Sequence, residues 1–214
     1  MIDVIIAYTL TFSIYFIGMH LRNKEFNKYN ARSRPLPDAG HKFFNIKRWR
    51  WTYAIADIMP FICIANVVLD GYINGSNPQQ IREYCLLHAT MYFVRTISIH
   101  LTTLPTPVPG ARYKNAIPRS YGGLVPSYNN DLMFSGHTST CLLALYIVHE
   151  YYLLWICVGA TIVCALTLIA SREHYTMDVF LALIASQALY SVKEHILFWV
   201  EWAYTHDLFN IVLQ

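Results

Sequence analysis

Three stretches of the chain run long without an Asp, Glu, Lys or Arg: Val4 to Leu21, Leu132 to His149 and Tyr151 to Ser171. Each approaches the roughly 20 apolar residues that carry a helix across a bilayer. Three weaker stretches have the same character but are broken by charge: Asp57 in one, Arg95 in the next, and Asp178, Lys193 and Glu194 in the last. Together the pattern predicts six membrane-crossing helices, at about 2–21, 51–70, 84–103, 133–150, 151–170 and 175–199. The expected fold class is all-α, a polytopic membrane bundle of six transmembrane helices, forming a single domain over residues 1–214.

Two connections are long. The first, about 22–50, contains Arg34-Pro35-Leu36-Pro37-Asp38, where two close prolines hold the backbone extended and exclude helix. The second, about 104–132, opens with Leu104-Pro105-Thr106-Pro107-Val108-Pro109-Gly110. Loops of this length are often lids or binding segments. The fourth and fifth helices separate Phe134-Ser135-Gly136-His137-Thr138 from His174-Tyr175-Thr176-Met177-Asp178. Two crossings return the chain to its starting side, so both motifs and both long loops are expected at one face of the bilayer.

Composition narrows the class. Hydrophobic residues make up 55% and charged residues 14%, with a mean hydropathy of +0.32, values on the membrane side of the soluble range. The net charge of +3 is too small to argue for nucleic acid. Met1-Ile2-Asp3 lacks the basic start of a secretory signal, so the first run is expected to remain as a helix. The five cysteines show no Cys-x-x-Cys spacing and read as buried thiols.

The two histidine motifs carry the candidate chemistry. The motif is placed to open the fourth helix with Ser135 or a neighbour as its cap, and Gly136 removes a side chain where a ligand could approach the backbone. The N–H groups and positive dipole end of such a helix favour a phosphate, which Thr138 and Ser135 would flank. Further on, Asp178 lies four residues after His174, so a helix would set both on one face and let the acid hold the imidazole. One oriented histidine and one independent histidine suit phosphoryl transfer: His174 attacks, and His137 handles the proton of the leaving oxygen. Arg95, inside the third expected helix, is a candidate to grip phosphate oxygens. Asp57 is left between a structural ion pair, an orienting acid and a partner for a cationic head group. Arg172 reads equally as a phosphate contact or a surface arginine. His20, His41, His88, His100, His149, His195 and His206 show no metal-ligand spacing, so no metal and no cofactor is expected.

Taken in order, these motifs resemble the sphingomyelin synthase family, a branch of the type 2 phosphatidic acid phosphatase superfamily. The resemblance spans about residues 34–185. It rests on Pro35-Leu36-Pro37-Asp38, on Trp51 followed by Asp57, and on Arg95 ahead of Thr102-Thr103-Leu104-Pro105. Its most specific parts are Asp131 through Thr138 and His174 through Val179. Departures are the segment from Leu104 to Gly110, two residues longer than the family's Leu-Pro-Val-Pro-Gly, and Tyr128-Asn129-Asn130 in place of a cysteine-bearing approach to Asp131.

The resemblance implies a six-helix membrane bundle that moves a phospho-head group from a phospholipid donor to a lipid-alcohol acceptor such as ceramide, through a phosphohistidine. His174 and Asp178 match the nucleophile and its orienter, and His137 the partner histidine. It also implies a multi-pass protein of an endomembrane or plasma membrane if the source is eukaryotic. The same residues with water as acceptor would make a lipid phosphate phosphatase. A membrane lipid-binding scaffold without catalysis is the reading from another class. Nine Lys and Arg in residues 22–50 argue for a cytosolic active face, whereas the resemblance implies a lumenal or outer one. A phosphate-binding face is basic for its own reasons, so the reading follows the family.

Overall fold

A computed structural model describes residues 2–30, 34–44, 50–102, 104, 105, 107 and 132–206, and every regular element among them is a helix. In chain order these are α1 Ile2–Asn30, α2 Ala39–Phe43, α3 Arg50–Ile73, α4 Asn77–Leu101, α5 Gly136–Ile147, α6 Tyr151–Ala170, α7 Thr176–Ser191 and α8 Lys193–Thr205. The all-α expectation holds. The expected set of six spans is met only in part: among the described residues two helices, Ala54–Ile73 and Tyr151–Ala170, are long and apolar enough to cross a membrane.

The differences have local causes. The first helix runs on to Asn30 because no proline or glycine stops it before Pro35. The fourth expected helix shrinks to the 12 residues of α5. At about 18 Å it is shorter than a hydrocarbon core of about 30 Å. It stops because Asp70 takes the N–H groups of His149 and Glu150, at 3.1 and 2.7 Å, and turns the chain directly into α6. The sixth expected helix is divided at Val192, whose N–H bonds to Leu189 O at 3.2 Å and tightens the turn before α8 begins. Residues 34–38 form no helix, as the two prolines require, and Asp38 at their end is extended (φ −140°, ψ 130°). Asp38 then caps the short α2 by accepting the His41 N–H at 2.9 Å. Most of the 104–132 loop, with Asp131, lies outside the described residues.

The core is built around α3, which packs against α4, α5 and α6. Leu87, Leu143, Leu153 and Leu168 are fully buried there, together with four of the five cysteine thiols, Cys63, Cys141, Cys157 and Cys164. Pro60 lies inside α3, which runs through it unbroken. A proline supplies no N–H, so the carbonyl four residues earlier, Ala56, loses its helical partner. The Cys164 thiol of α6 occupies that carbonyl at 3.8 Å. The contact fixes α3 against α6 one residue from Asp57.

Polar staples hold α1 to the rest. Arg82 Nε donates to Asp3 at 2.7 Å. Deeper, Tyr8, His88 and Thr140 form a chain whose proton positions follow from its ends. The Thr140 hydroxyl donates to Gly136 O at 2.9 Å, so it accepts from His88 Nε2–H, also at 2.9 Å. His88 Nδ1 then accepts from the Tyr8 hydroxyl at 2.8 Å. This His88 is a satisfied structural histidine, spending both ring nitrogens on joining α1, α4 and α5.

Candidate active site

The stretch from Ser171 to Asp178 turns the chain sharply from α6 into α7. Arg172 adopts a left-handed backbone (φ 58°), which lets the Glu173 and His174 N–H groups fold back on Leu168 O at 3.1 and 3.4 Å. Tyr175 is the N-cap of α7 and Asp178 its third helical residue. The Asp178 carboxylate bends back over the helix start. One oxygen accepts the Tyr175 N–H at 3.1 Å and the His174 Nδ1–H at 3.1 Å. The expected pair is therefore present, but not as neighbours on a helix face. His174 precedes the helix, and a capping carboxylate reaches back to it. Bonding at Nδ1 leaves the Nε2 lone pair outside the pair. The site is dry: the His174 side chain is 8% exposed and that of Asp178 is 2%.

The Ser135 motif opens α5 as expected. Ser135 Oγ accepts the Thr138 N–H at 3.2 Å and the Thr138 hydroxyl at 2.9 Å. Both side chains are buried in this cap, so they can serve an anion through the helix start rather than through their own hydroxyls. The N–H groups of Gly136 and His137 have no carbonyl within the helix to bond. Gly136 does not open a space for a ligand. A Cβ there would lie 3.3 Å from Cζ and Nε of Arg95 and 2.9 Å from the Tyr92 hydroxyl, so the missing side chain makes room for the guanidinium. Arg95 is buried, and its Nε donates to Phe134 O at 2.9 Å.

His137 does not stand independent. Its Nε2 lies 2.9 Å from Asp57 Oδ1 on α3. Asp57 thus meets His137 at Nε2, which leaves Nδ1 as the second ring nitrogen. The pair is more exposed than the other, with side chains 34% and 27% exposed. A single backbone bond joins the two motifs: Ser135 N–H donates to Asp178 O at 3.1 Å. The starts of α5 and α7, and with them both histidine–aspartate pairs, lie at the same end of the bundle.

Sequence reasoning missed a third contributor, the segment around α2. His41 Nε2 donates to His174 O at 2.9 Å. Asp38 accepts the Thr176 N–H at 2.8 Å and the Thr176 hydroxyl at 2.7 Å. Leu36 N–H reaches the Tyr175 hydroxyl at 3.1 Å, and that hydroxyl donates to Pro105 O at 2.8 Å. Arg172 Nη2 donates to His41 O at 3.2 Å, which spends this nitrogen on the segment. Burial pushes the Asp38 carboxyl up, but the Thr176 hydroxyl, the His41 and Thr176 N–H groups and the nearby His41 ring outweigh it and hold it below its ordinary value. The extended Pro-Leu-Pro-Asp run was legible, but nothing in its spacing pointed to residue 174. Among the described residues no group of three or more His, Cys, Asp or Glu is arranged to hold a metal ion.

Comparison with known proteins supplies an independent line. Residues 130–196 match the family described as PAP2 superfamily C-terminal, a region that holds His137, His174 and Asp178. The chain is 30% identical over 179 residues to phosphatidylcholine:ceramide cholinephosphotransferase 2 of Homo sapiens, covering 70% of this chain and 47% of that protein. It is 26% identical over 182 residues to the type 1 human protein, covering 73% and 43%. The Macaca fascicularis type 2 protein matches as the human one does. The chain is thus similar to the phosphatidylcholine:ceramide cholinephosphotransferases and, over residues 130–196, to the PAP2 superfamily, and it spans about half the length of the curated relatives it matches.

Proposed function

We propose that the chain is an integral-membrane phosphotransferase that moves a phosphocholine-type head group from a glycerophospholipid to ceramide or a similar lipid alcohol, by way of a phosphohistidine. The observation that carries this reading is the 3.1 Å bond from Ser135 N–H to Asp178 O, which brings two aspartate-held imidazoles to one end of the bundle. The relatives' names, phosphatidylcholine:ceramide cholinephosphotransferases, supply the donor and acceptor classes.

The chemistry follows from the nitrogens. Asp178 holds the His174 Nδ1–H, so Nε2 attacks phosphorus and a P–N bond forms. The P–O bond to diacylglycerol breaks as His137, an imidazolium steadied by Asp57, gives its proton to the departing oxygen. Neutral His137 then removes the proton from the acceptor hydroxyl. That oxygen attacks phosphorus, the P–N bond breaks, and His174 is restored. Arg95 and the N–H groups of Gly136 and His137 stabilise the charge on the phosphorus oxygens. Both proton transfers have an imidazole, so the scheme draws on no metal or cofactor.

The membrane setting belongs to the same proposal. Ile58 and Phe61 on α3, Phe93 and Ile97 on α4, and Ile162 and Leu166 on α6 are exposed apolar side chains. Faces of this kind suit lipid contact rather than water. The six-crossing bundle is retained with α7 and α8 as one broken crossing and α5 as a short inner one.

The test is purified protein in vesicles with head-group-labelled phosphatidylcholine, with and without ceramide. Label in a ceramide product supports transfer. Free phosphocholine at the same rate with or without ceramide identifies a hydrolase using the same residues. No turnover of any phospholipid donor removes the enzyme reading.

A further inference from the structure

We infer that the segment 36–41 positions the attacking histidine, with Asp38 and His41 as positioning residues. The inference rests on the reading of His174 as the nucleophile. It goes beyond that reading because neither residue belongs to the two histidine motifs.

The segment grips the chain on both sides of His174. Before it, Arg172 Nη2 donates to His41 O at 3.2 Å. At His174 itself, the carbonyl can only accept, so the His41 Nε2 at 2.9 Å carries the proton. After it, Leu36 N–H meets the Tyr175 hydroxyl, and Asp38 holds both the N–H and the hydroxyl of Thr176. Four of the five residues from 172 to 176 are thus bonded by residues from a segment more than 130 positions away in the chain.

The approach is close enough to require a glycine. A Cβ at Gly40 would overlap Thr176 Oγ1 and lie 2.7 Å from Ile169 Cγ2. His41 is buried, with its ring 5.6 Å from that of Tyr175.

The physical need is plain. Asp178 fixes the His174 ring through Nδ1, but that restrains only the side chain relative to the helix start. His174 sits in a turn outside α7, with its own N–H on a long 3.4 Å bond. Its backbone would rotate if the carbonyl were released, carrying Nε2 off the line of attack. A misplacement of about 1 Å costs on the order of 100-fold in rate.

The test compares His41→Phe, His41→Gln and Asp38→Asn in the vesicle assay. Gln places an amide N–H near the position of Nε2, whereas Phe keeps the ring and loses the donor. The expected result is a drop in kcat of about 10- to 100-fold for His41→Phe with KM for the donor lipid nearly unchanged. His41→Gln recovers most of that loss, and Asp38→Asn falls between. A second readout needs no turnover: the rate at which diethyl pyrocarbonate modifies His174, located by peptide mass. That rate rises in His41→Phe and stays near wild type in His41→Gln. If wild type turns over no lipid but the His174 modification rates separate in this way, the positioning survives and the transferase reading falls. If His41→Phe leaves both kcat and the modification rate unchanged, or Gln behaves like Phe in both, the positioning is overturned.

Discussion

Each end of the bundle buries an aspartate against the start of a helix, and only one of them holds a buried imidazole. Asp70 is fully buried; it accepts the N–H groups of His149 and Glu150 and the Gln80 side chain. The nearest imidazole, His149, lies 3.5 Å away with its side chain 75% exposed. Asp178 is as deeply buried and also accepts a backbone N–H at a helix start. What differs is the company. Asp178 holds a buried imidazole by its Nδ1–H, a distant segment clasps that imidazole's backbone, and a second histidine–aspartate pair begins the helix alongside. Burial of a charge marks a place where the fold needs a carboxylate. Function is marked by a second group held in reach with a lone pair still to spend.

Asp178→Asn sharpens this contrast most. The amide keeps the shape but favours the wrong imidazole tautomer, and we expect kcat to fall by about 10³- to 10⁴-fold in the vesicle assay, with the protein still folded. His137 depends less on its acid, because that pair is partly exposed. Asp57→Asn is expected to lower kcat by about 10- to 100-fold, mainly through a weaker general acid, seen as a changed pH profile of kcat. Asp70→Asn should do the reverse of Asp178→Asn. It removes acceptors from buried N–H groups and costs about 1–3 kcal/mol of stability in thermal unfolding, while kcat of the folded fraction stays at wild type.

The smallest effect concerns acid. The Asp38 carboxyl is held below its ordinary value in the fold. Its contribution is thus complete above the unfolded carboxyl value of about 3.9 and is lost as pH falls through the lower folded value. Acid unfolding of Asp38→Asn should lack that component, so its stability changes less than wild type as pH falls below about 4. Equal acid sensitivity of the two proteins would contradict the assignment.

Much of the site could be read from residue order because it is local. Ser135 capping Thr138, and Asp178 returning to His174, involve residues three or four apart. Even there, the helical rule gave the right partners for the wrong reason, since His174 lies ahead of α7. The remainder is non-local. Asp57 meets His137 across 80 residues, and His41 meets His174 across 133. Periodicity says which face of a helix is apolar, but not which turn of another helix comes to rest beside it. His41 and His88 looked alike in sequence. One caps a backbone in the site, and the other is a neutral bridge in the core. The break at Val192 was likewise illegible, because no proline or glycine marks it.

The central claim is that two imidazoles act on one phosphorus, with His174 forming the bond. It is tested most directly by mixing the protein with head-group-labelled phosphatidylcholine in vesicles lacking acceptor, quenching in alkali, and locating the label by peptide mass. The account predicts an acid-labile phosphocholine adduct on His174, discharged when ceramide is added and absent in His174→Ala. Turnover that proceeds with the label never on His174, or with His174→Ala as active as wild type, would contradict it.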